Sequence, residues 1–434
     1  MKRYLYLWHR WLGIVACLFM ALWFISGVVM LYVGYPKLTP AEHLAHLPVL
    51  QLEPAPADLG QVLHAADPHQ PPTRIRLTTV AGQPRYILEY PGPRKVAVDS
   101  HSGQPAAPPD RVEALAAARQ FAPEAVARDR GVVQEDMWSL SRALDADRPL
   151  HRVAIADAER RLLYISGTTG EVVRDATASE RGWNWIGAWL HWLYPLRGIG
   201  IDGAWGPIVT YLSLAATLMA VLGLAVGVLR WRFKRTYRNG SHSPYQGFAR
   251  WHHLGGMLFG VLLITWIFSG LMSMNPWKLF SSAQPLSVAA YQGGPLGALA
   301  FPLNAGQVLQ RFADDGLQAR ELEWRMIAGK GYVIGYDGAG RTRIFDMAGD
   351  RVQRRFHPGT LQQAAWAIRP GQPMLVEQLA AYDFYYYARE PQSMMGHLQQ
   401  RLPVLRVRFD DPAHTWLHPV SYTHLRAHET REDL

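Results

Sequence analysis

Three stretches of the chain, residues 11–35, 205–229 and 254–274, are nearly free of charge. Each holds about the 20 apolar residues that cross a hydrocarbon core of about 30 Å, so each is expected to be a spanning helix. Elsewhere the pattern changes to short runs of strand character broken by Gly, Ser and Asp turns. After a Pro- and His-bearing linker (36–56), residues 57–66 read as a short helix. Strands follow at 74–80, 85–90 and 95–99, closed by a Ser-His-Ser-Gly turn. A second, longer unit has its helix at 110–128, strands at 137–144, 150–157 and 161–165, and a turn at 166–170. Beyond the third apolar run, a helix at 303–313 leads to strands at 319–327, 331–336 and 341–345 and an Asp-Met-Ala-Gly turn. A fourth unit starts at Thr360, passes through Tyr385-Tyr386-Tyr387 and reaches a strand at 404–409. The expected fold is a membrane helical bundle carrying extracytoplasmic α+β lobes made of helix plus antiparallel meander units.

The spans also repeat. Trp8, His9, Gly13, Trp23, Ser26 and Gly27 match Trp251, His252, Gly256, Trp266, Ser269 and Gly270 without a gap. A rise of about 1.5 Å per residue puts the histidine and the distal tryptophan roughly 21 Å apart, so each copy joins a histidine near one membrane face to a Ser-Gly pair near the other. Aromatic and small residues are common in membrane helices, but chance does not hold one register over a whole span. The repeat also predicts a fourth span, matching 205–229, which the sequence lacks. After Pro419 the chain continues as VSYTHLRAHETREDL, polar and without strand or span pattern. That segment reads as a non-native tail resembling translated adapter sequence, with the native course ending near Pro419 and a last helix lost; a short disordered tail is the plain alternative. The expected division is 1–35 (cytoplasmic start and first span), 36–182 (outer lobe with two units), 183–230 (amphipathic lead-in and second span), 231–250 (basic loop), 251–275 (third span), 276–419 (second outer lobe, incomplete) and 420–434 (tail).

A net charge of +9 and a pI near 9.6 could suggest nucleic acid, but the position of the charge argues otherwise. Arg230, Arg232, Lys234, Arg235, Arg238 and Arg250 crowd the link between the second and third spans, and Lys2, Arg3 and Arg10 precede the first. The positive-inside rule makes both segments cytoplasmic and puts residues 35–195 and the region after 275 outside. The first apolar run exceeds the 7–15 residues usual in a signal peptide and has no small-residue cleavage site, so it is expected to be a retained anchor. Cys17 is the only cysteine and lies inside that span, which leaves no intramolecular disulfide and no Cys-based metal site.

The WHRWLG start, the WHHLGG and TWIFSGLMSMNP of the third span, the LHWLYPL before the second, and YDFYYYAR followed by LPVLRVRFDDPAHTW together resemble the PepSY-associated membrane proteins over residues 1–419. That group includes periplasm-facing siderophore-iron reductases with two b-type haems. The resemblance implies a bacterial inner-membrane, multi-pass protein with PepSY-like periplasmic lobes, haem b as cofactor and a periplasmic ferric chelate as partner. Arg389-Glu390 departs from the pattern, in which Arg-His is expected.

A histidine at the edge of a span is often only an interfacial polar residue. His9 and His252, at equivalent positions on helices entering from the same side, can instead face one another and supply both axial nitrogens of a haem iron. His253 competes with His252, but adjacent helical residues point about 100° apart and the repeat register favours His252. His191, in Trp189-Leu190-His191-Trp192, is the third candidate and is expected to form half of an outer site, its partner preceding the absent fourth helix. Gly13, Gly27, Gly256 and Gly270 leave room for a flat macrocycle or serve close helix packing. Trp8, Trp23, Trp251 and Trp266 read as interface anchors. The tyrosines at 382 and 385–387 could receive a chelate or shield a haem edge, while an aromatic run in a β-rich lobe is more often packing. His43, His46, His64 and His69 lack metal-ligand spacing. No Gly-rich nucleotide loop, nucleophile elbow or zinc-protease signature is present, which disfavours hydrolysis and direct NAD or flavin binding.

The expected function is transmembrane electron transfer: an inner haem on His9 and His252, an outer haem on His191, and reduction of a periplasmic ferric siderophore, with a quinol or a cytoplasmic reductase as donor. The competing expectation is a non-redox membrane protein whose PepSY-like units bind peptides, restrain a protease or sense.

Overall fold

The computed structural model describes residues 2–197, 201–280, 286–390, 393, 396, 400–412, 414–419 and 425–428. The chain divides into two compact units, residues 1–33 with 183–283, and residues 34–182 with 284–430.

The first unit holds three helices long and apolar enough to cross a membrane, Arg3–Tyr32, Gly203–Arg230 and Gly247–Ser273. The second span runs antiparallel to the other two. Near its C-terminal end, Arg230 lies over the Tyr6 ring, 4.3 Å from its centroid. Gly227 meets Met257 and His253, and Leu224 meets Gly260. These are small-residue contacts of the kind that let helix backbones approach in a lipid environment. Away from them, the first and third spans present apolar side chains outward, with Leu18 78% and Leu258 75% exposed. Such surfaces suit acyl chains rather than water. The anchoring tryptophans Trp8, Trp251 and Trp266 are likewise exposed.

The second unit is built from antiparallel meanders. Its strands are β1 (Arg74–Val80), β2 (Gln83–Tyr90), β3 (Arg94–Asp99), β4 (Ala127–Val133), β5 (Leu150–Ile155), β6 (Leu162–Ser166), β7 (Val172–Ala176), β8 (Glu321–Ile327), β9 (Lys330–Tyr336), β10 (Thr342–Asp346), β11 (Arg351–Gln353), β12 (Met374–Leu379), β13 (Val404–Phe409), β14 (Trp416–Pro419) and β15 (Leu425–His428). They form three sheets, in the orders β11-β10-β9-β8-β1-β2-β3, β4-β5-β6-β7 and β12-β13-β14-β15. The helices Leu59–Ala66 and Ala305–Asp314 contribute Val62, Val308 and Phe312 to the core of the first sheet, with Ile75, Leu77, Leu322 and Trp324 from its strands. Helix Arg111–Phe121 lays Ala114, Ala118 and Phe121 on Val153, Leu163 and Ile165 of the second sheet. Helix Pro358–Ile368 packs Leu361 and Ala365 with Val407 and Leu417 of the third. Each of the first three meanders closes through a side chain that accepts two backbone N–H groups. Asp99 takes His101 and Ser102, Ser166 takes Thr168 and Thr169, and Asp346 takes Ala348 and Gly349.

Several boundaries differ from the expectation. The helix expected at 110–128 stops at Phe121, because Pro123 follows and the residue before a proline avoids the helical region. The polar stretch beyond it forms β4, an edge strand with a bulge between Asp129 and Val132. The strand expected at 137–144 is absent. Asp136 instead accepts from Trp138 N, Ser139 Oγ and Tyr164 Oη, which folds the segment into a turn ahead of a 3-10 helix at Arg142–Asp147. Residues 36–182 and 276–419, separate lobes by sequence, lie largely in one unit and share a sheet through β1 and β8, with Ile75 opposite Trp324 and Leu77 opposite Leu322. Within the tail, Leu425–His428 pairs with β14, contrary to the expectation of no strand there, since an open sheet edge offers unpaired backbone groups to any nearby chain. Residues 420–424 and 429–434 lie outside the described residues.

A buried ion cluster ties the first three meanders together. Arg76 of β1 forms paired hydrogen bonds with Glu171, at 2.9 and 3.1 Å, and reaches Glu321 of β8 at 3.0 Å. His43 meets the same Glu321 oxygen at 3.0 Å. Burial alone would raise the Glu171 carboxyl, but Arg76 and Lys95 outweigh it and hold the pKa down at about 2. The carboxylate therefore contributes stability above its unfolded pKa of about 4.3, and that contribution is lost as pH falls toward 2. Arg76→Met leaves two buried carboxylates without their cation and should destabilise the chain by about 3–5 kcal/mol. Chemical denaturation of the detergent-solubilised protein should show a lower midpoint at neutral pH, and the gap to the unsubstituted chain should narrow as pH falls, because burial without Arg76 pushes both carboxyls toward the protonated form. A gap that stays the same at acid pH would contradict this account of the cluster.

Candidate functional site

The first span carries His9 just inside its start, and the third carries His252 and His253 at the corresponding end. Packing of both spans on the second brings these rings together. His9 and His252 lie with ring centroids 6.2 Å apart and planes 25° from parallel. His9 rests on Gly223 of the second span, where an added Cβ would come within 2.6 Å of Cε1 and 3.1 Å of Nδ1. Only a residue without a side chain admits the ring there. Nδ1 of His9 is buried and lacks a hydrogen-bond partner of ordinary geometry, although the Met219 backbone lies nearby.

His253 occupies a different environment. Nε2 donates to the Gly227 carbonyl at 2.9 Å, and Ser243 Oγ lies 2.7 Å from Nδ1. In the neutral ring both nitrogens are then committed, and the side chain is 6% exposed. Tyr245 and Trp231 pack edge-on against it. His253 is thus a clamp joining the third span, the second span and the basic loop.

At the opposite end of the first span, His191 from the short helix Ala188–His191 packs on Gly27. Its Nδ1 lies 3.0 Å from Ser26 Oγ and 3.1 Å from the Trp23 carbonyl. Burial lowers its pKa below the ordinary value, opposed by the Trp23 carbonyl. The same motif on the third span is open: Ser269 donates to the Trp266 carbonyl at 2.8 Å, and a Cβ on Gly270 would meet nothing within 4 Å. Gly13 and Gly256 also face open space, so close packing does not explain them. Of the repeat's glycines only Gly27 is closely packed, and Gly223, Gly227 and Gly260, which the repeat does not single out, are close-packed as well. The four-residue spacing of Gly223 and Gly227 within VLGLAVG was the available signal.

The fit of the histidines to an iron porphyrin rests on this geometry. Two imidazoles on one metal, with about 2.0 Å to each nitrogen and roughly 1 Å from nitrogen to ring centre, have centroids about 6 Å apart. The His9–His252 separation meets that condition. Among the described residues no group of three or more His, Cys, Asp or Glu could hold a metal ion. His43 and His46 are engaged elsewhere, His43 with Glu321 and His46 against the Phe121 ring. His64 and His69 are exposed. Of the tyrosine run, Tyr386 is core, while Tyr382, Tyr385 and Tyr387 are exposed.

Residues 6–329 match the model of the PepSY-associated TM region. The chain belongs to that family. No curated protein and no solved structure matches it. The match takes in all three spans and every candidate histidine and ends between β8 and β9. The tyrosine run and the strand at 404–409 lie beyond it, so their likeness to the family rests on the motifs alone.

His253→Ala and Ser243→Ala should each weaken the joint between the second and third spans. Hydrogen bonds between membrane helices contribute about 0.6 kcal/mol on average and up to about 1.7. A loss of about 1–2 kcal/mol in His253→Ala, which removes two, is expected in denaturant unfolding of the purified protein. No loss in that variant would show that the clamp is not formed.

Proposed function

We propose that the chain is a haem b protein of the bacterial inner membrane that passes electrons across the bilayer to iron held in a periplasmic ferric chelate, a siderophore complex by chemical class. The observation that carries this reading is the His9–His252 pair, 6.2 Å apart, with His9 seated on Gly223. His9 and His252 would hold the inner group through ring nitrogens, and His191 would contribute one nitrogen to an outer group. Haem, when bound, supplies a one-electron couple. Two centres suit the geometry, because Ser26 lies 17 residues beyond His9, roughly 25 Å along a helix.

Orientation follows from charge. Arg230, Arg232, Lys234, Arg235 and Arg238 border the end of the membrane that carries His9 and His252, which favours a cytoplasmic inner site. The meander-built unit, read as PepSY-like, would then be periplasmic. One electron converts Fe(III) in the chelate to Fe(II), which hard oxygen donors hold less firmly. The donor is a quinol or a cytoplasmic reductase.

A reduced-minus-oxidised spectrum of the purified chain should be that of six-coordinate haem b. His9→Ala and His252→Ala should each abolish the inner haem, lowering haem content by about one per chain, whereas His253→Ala should keep it. A colourless, iron-free protein from cells supplied with ample haem would overturn the redox reading and favour a peptide-binding or sensing role. Emptying of the inner site by His253→Ala, with His252→Ala silent, would reassign the ligand.

A further inference from the structure

Two groups of the first span converge on one nitrogen of His191. The Trp23 carbonyl, 3.1 Å from Nδ1, can only accept a hydrogen bond. Ser26 Oγ lies 3.0 Å from the same nitrogen, and in the Nδ1–H form its single proton goes to the Leu22 or the Trp23 carbonyl, 2.6 and 3.2 Å away. Toward the imidazole the hydroxyl therefore presents a lone pair. Because the Trp23 carbonyl can only accept, the Nδ1–H form alone satisfies both contacts. An unprotonated Nδ1 would set its lone pair against that of the Trp23 carbonyl in a low-dielectric setting, where an unmade hydrogen bond is most costly. Gly27 completes the arrangement, since a Cβ there would come within 3.3 Å of Cε1 and 3.6 Å of Nδ1. Nε2 has no hydrogen-bond partner among the described residues.

We propose that Trp23, Ser26 and Gly27 form a histidine seat that holds His191 as the Nδ1–H tautomer and leaves Nε2 as the one ring nitrogen able to bind a metal. Ser26 and Gly27 are positioning residues that act through His191. The seat accounts for the Ser-Gly pair that the repeat keeps at the far end of the span from His9. A ring N–H donated to a backbone carbonyl also fixes the orientation of metal-binding histidines in general and raises the basicity of the other nitrogen. The inference deepens the haem reading by naming the ligating nitrogen of the outer site, yet the tautomer itself requires no haem.

The test is nitrogen NMR of the full chain labelled with 15N-histidine, in detergent, reduced with dithionite and held at a pH where the imidazole is neutral. His191→Ala assigns the signals. A single form with the proton on Nδ1 is expected in the unsubstituted chain. Ser26→Ala should convert it to a mixture of tautomers, and Ser26→Thr, which restores the hydroxyl, should return the single form. A proton on Nε2, or a mixture in the unsubstituted chain, overturns the seat. A pure Nδ1–H form in Ser26→Ala removes Ser26 from it. A haem-free protein that keeps the Nδ1–H form supports the seat while sinking the haem reading, and a haem-loaded protein with Nε2–H does the reverse. Should Ser26→Ala fail to accumulate, the unsubstituted spectrum decides alone.

Discussion

An imidazole held among apolar helices must have both of its nitrogens accounted for, since no water is at hand to satisfy them. Three histidines of the membrane unit, His253, His191 and His9, meet that requirement differently. His253 uses both nitrogens, on Gly227 and Ser243, and is structural. His191 has Nδ1 satisfied by the first span and Nε2 left over. His9 has a buried nitrogen with no ordinary partner and another imidazole 6.2 Å away. The order from fully satisfied to unsatisfied separates the clamp from the candidate ligands, which the residue type alone cannot do.

The second span is the scaffold that makes this arrangement possible. Gly223 admits the His9 ring and Gly227 offers its carbonyl to His253, so one face of one helix positions both histidine-bearing spans. The meander-built unit obeys the same constraint with charges in place of imidazoles. Arg76, Glu171 and Glu321 come from distant parts of the chain, and each is tolerable in the interior only because the others are there. That mutual dependence fixes how the first three meanders assemble.

Features set by local pattern were legible in the sequence. The spans follow from uninterrupted apolar length, and β1–β3 and β8–β10 follow from alternation bounded by turns. The duplicated motif put His9 and His252 at equivalent positions of two spans, and those two rings lie with centroids 6.2 Å apart. Features set by distant contacts were not legible. Nothing in β1 or β8 alone announces that Ile75 will lie opposite Trp324 and merge two meanders into one sheet. The β4 strand was hidden because ARDRGVV is an exposed, bulged edge with no apolar face. Gly223 was hidden because a glycine in a span gives no sign of what will rest on it, and the role of Ser26 emerges only with His191 beside it.

The most direct measurement is hyperfine spectroscopy of the oxidised protein labelled with 15N-histidine, counting the histidine nitrogens bonded to each low-spin ferric centre. The account predicts a centre with two such nitrogens, one of which is lost in His9→Ala and one in His252→Ala, with both kept in His253→Ala. A centre that retains both axial histidine nitrogens when His9 is replaced would contradict it.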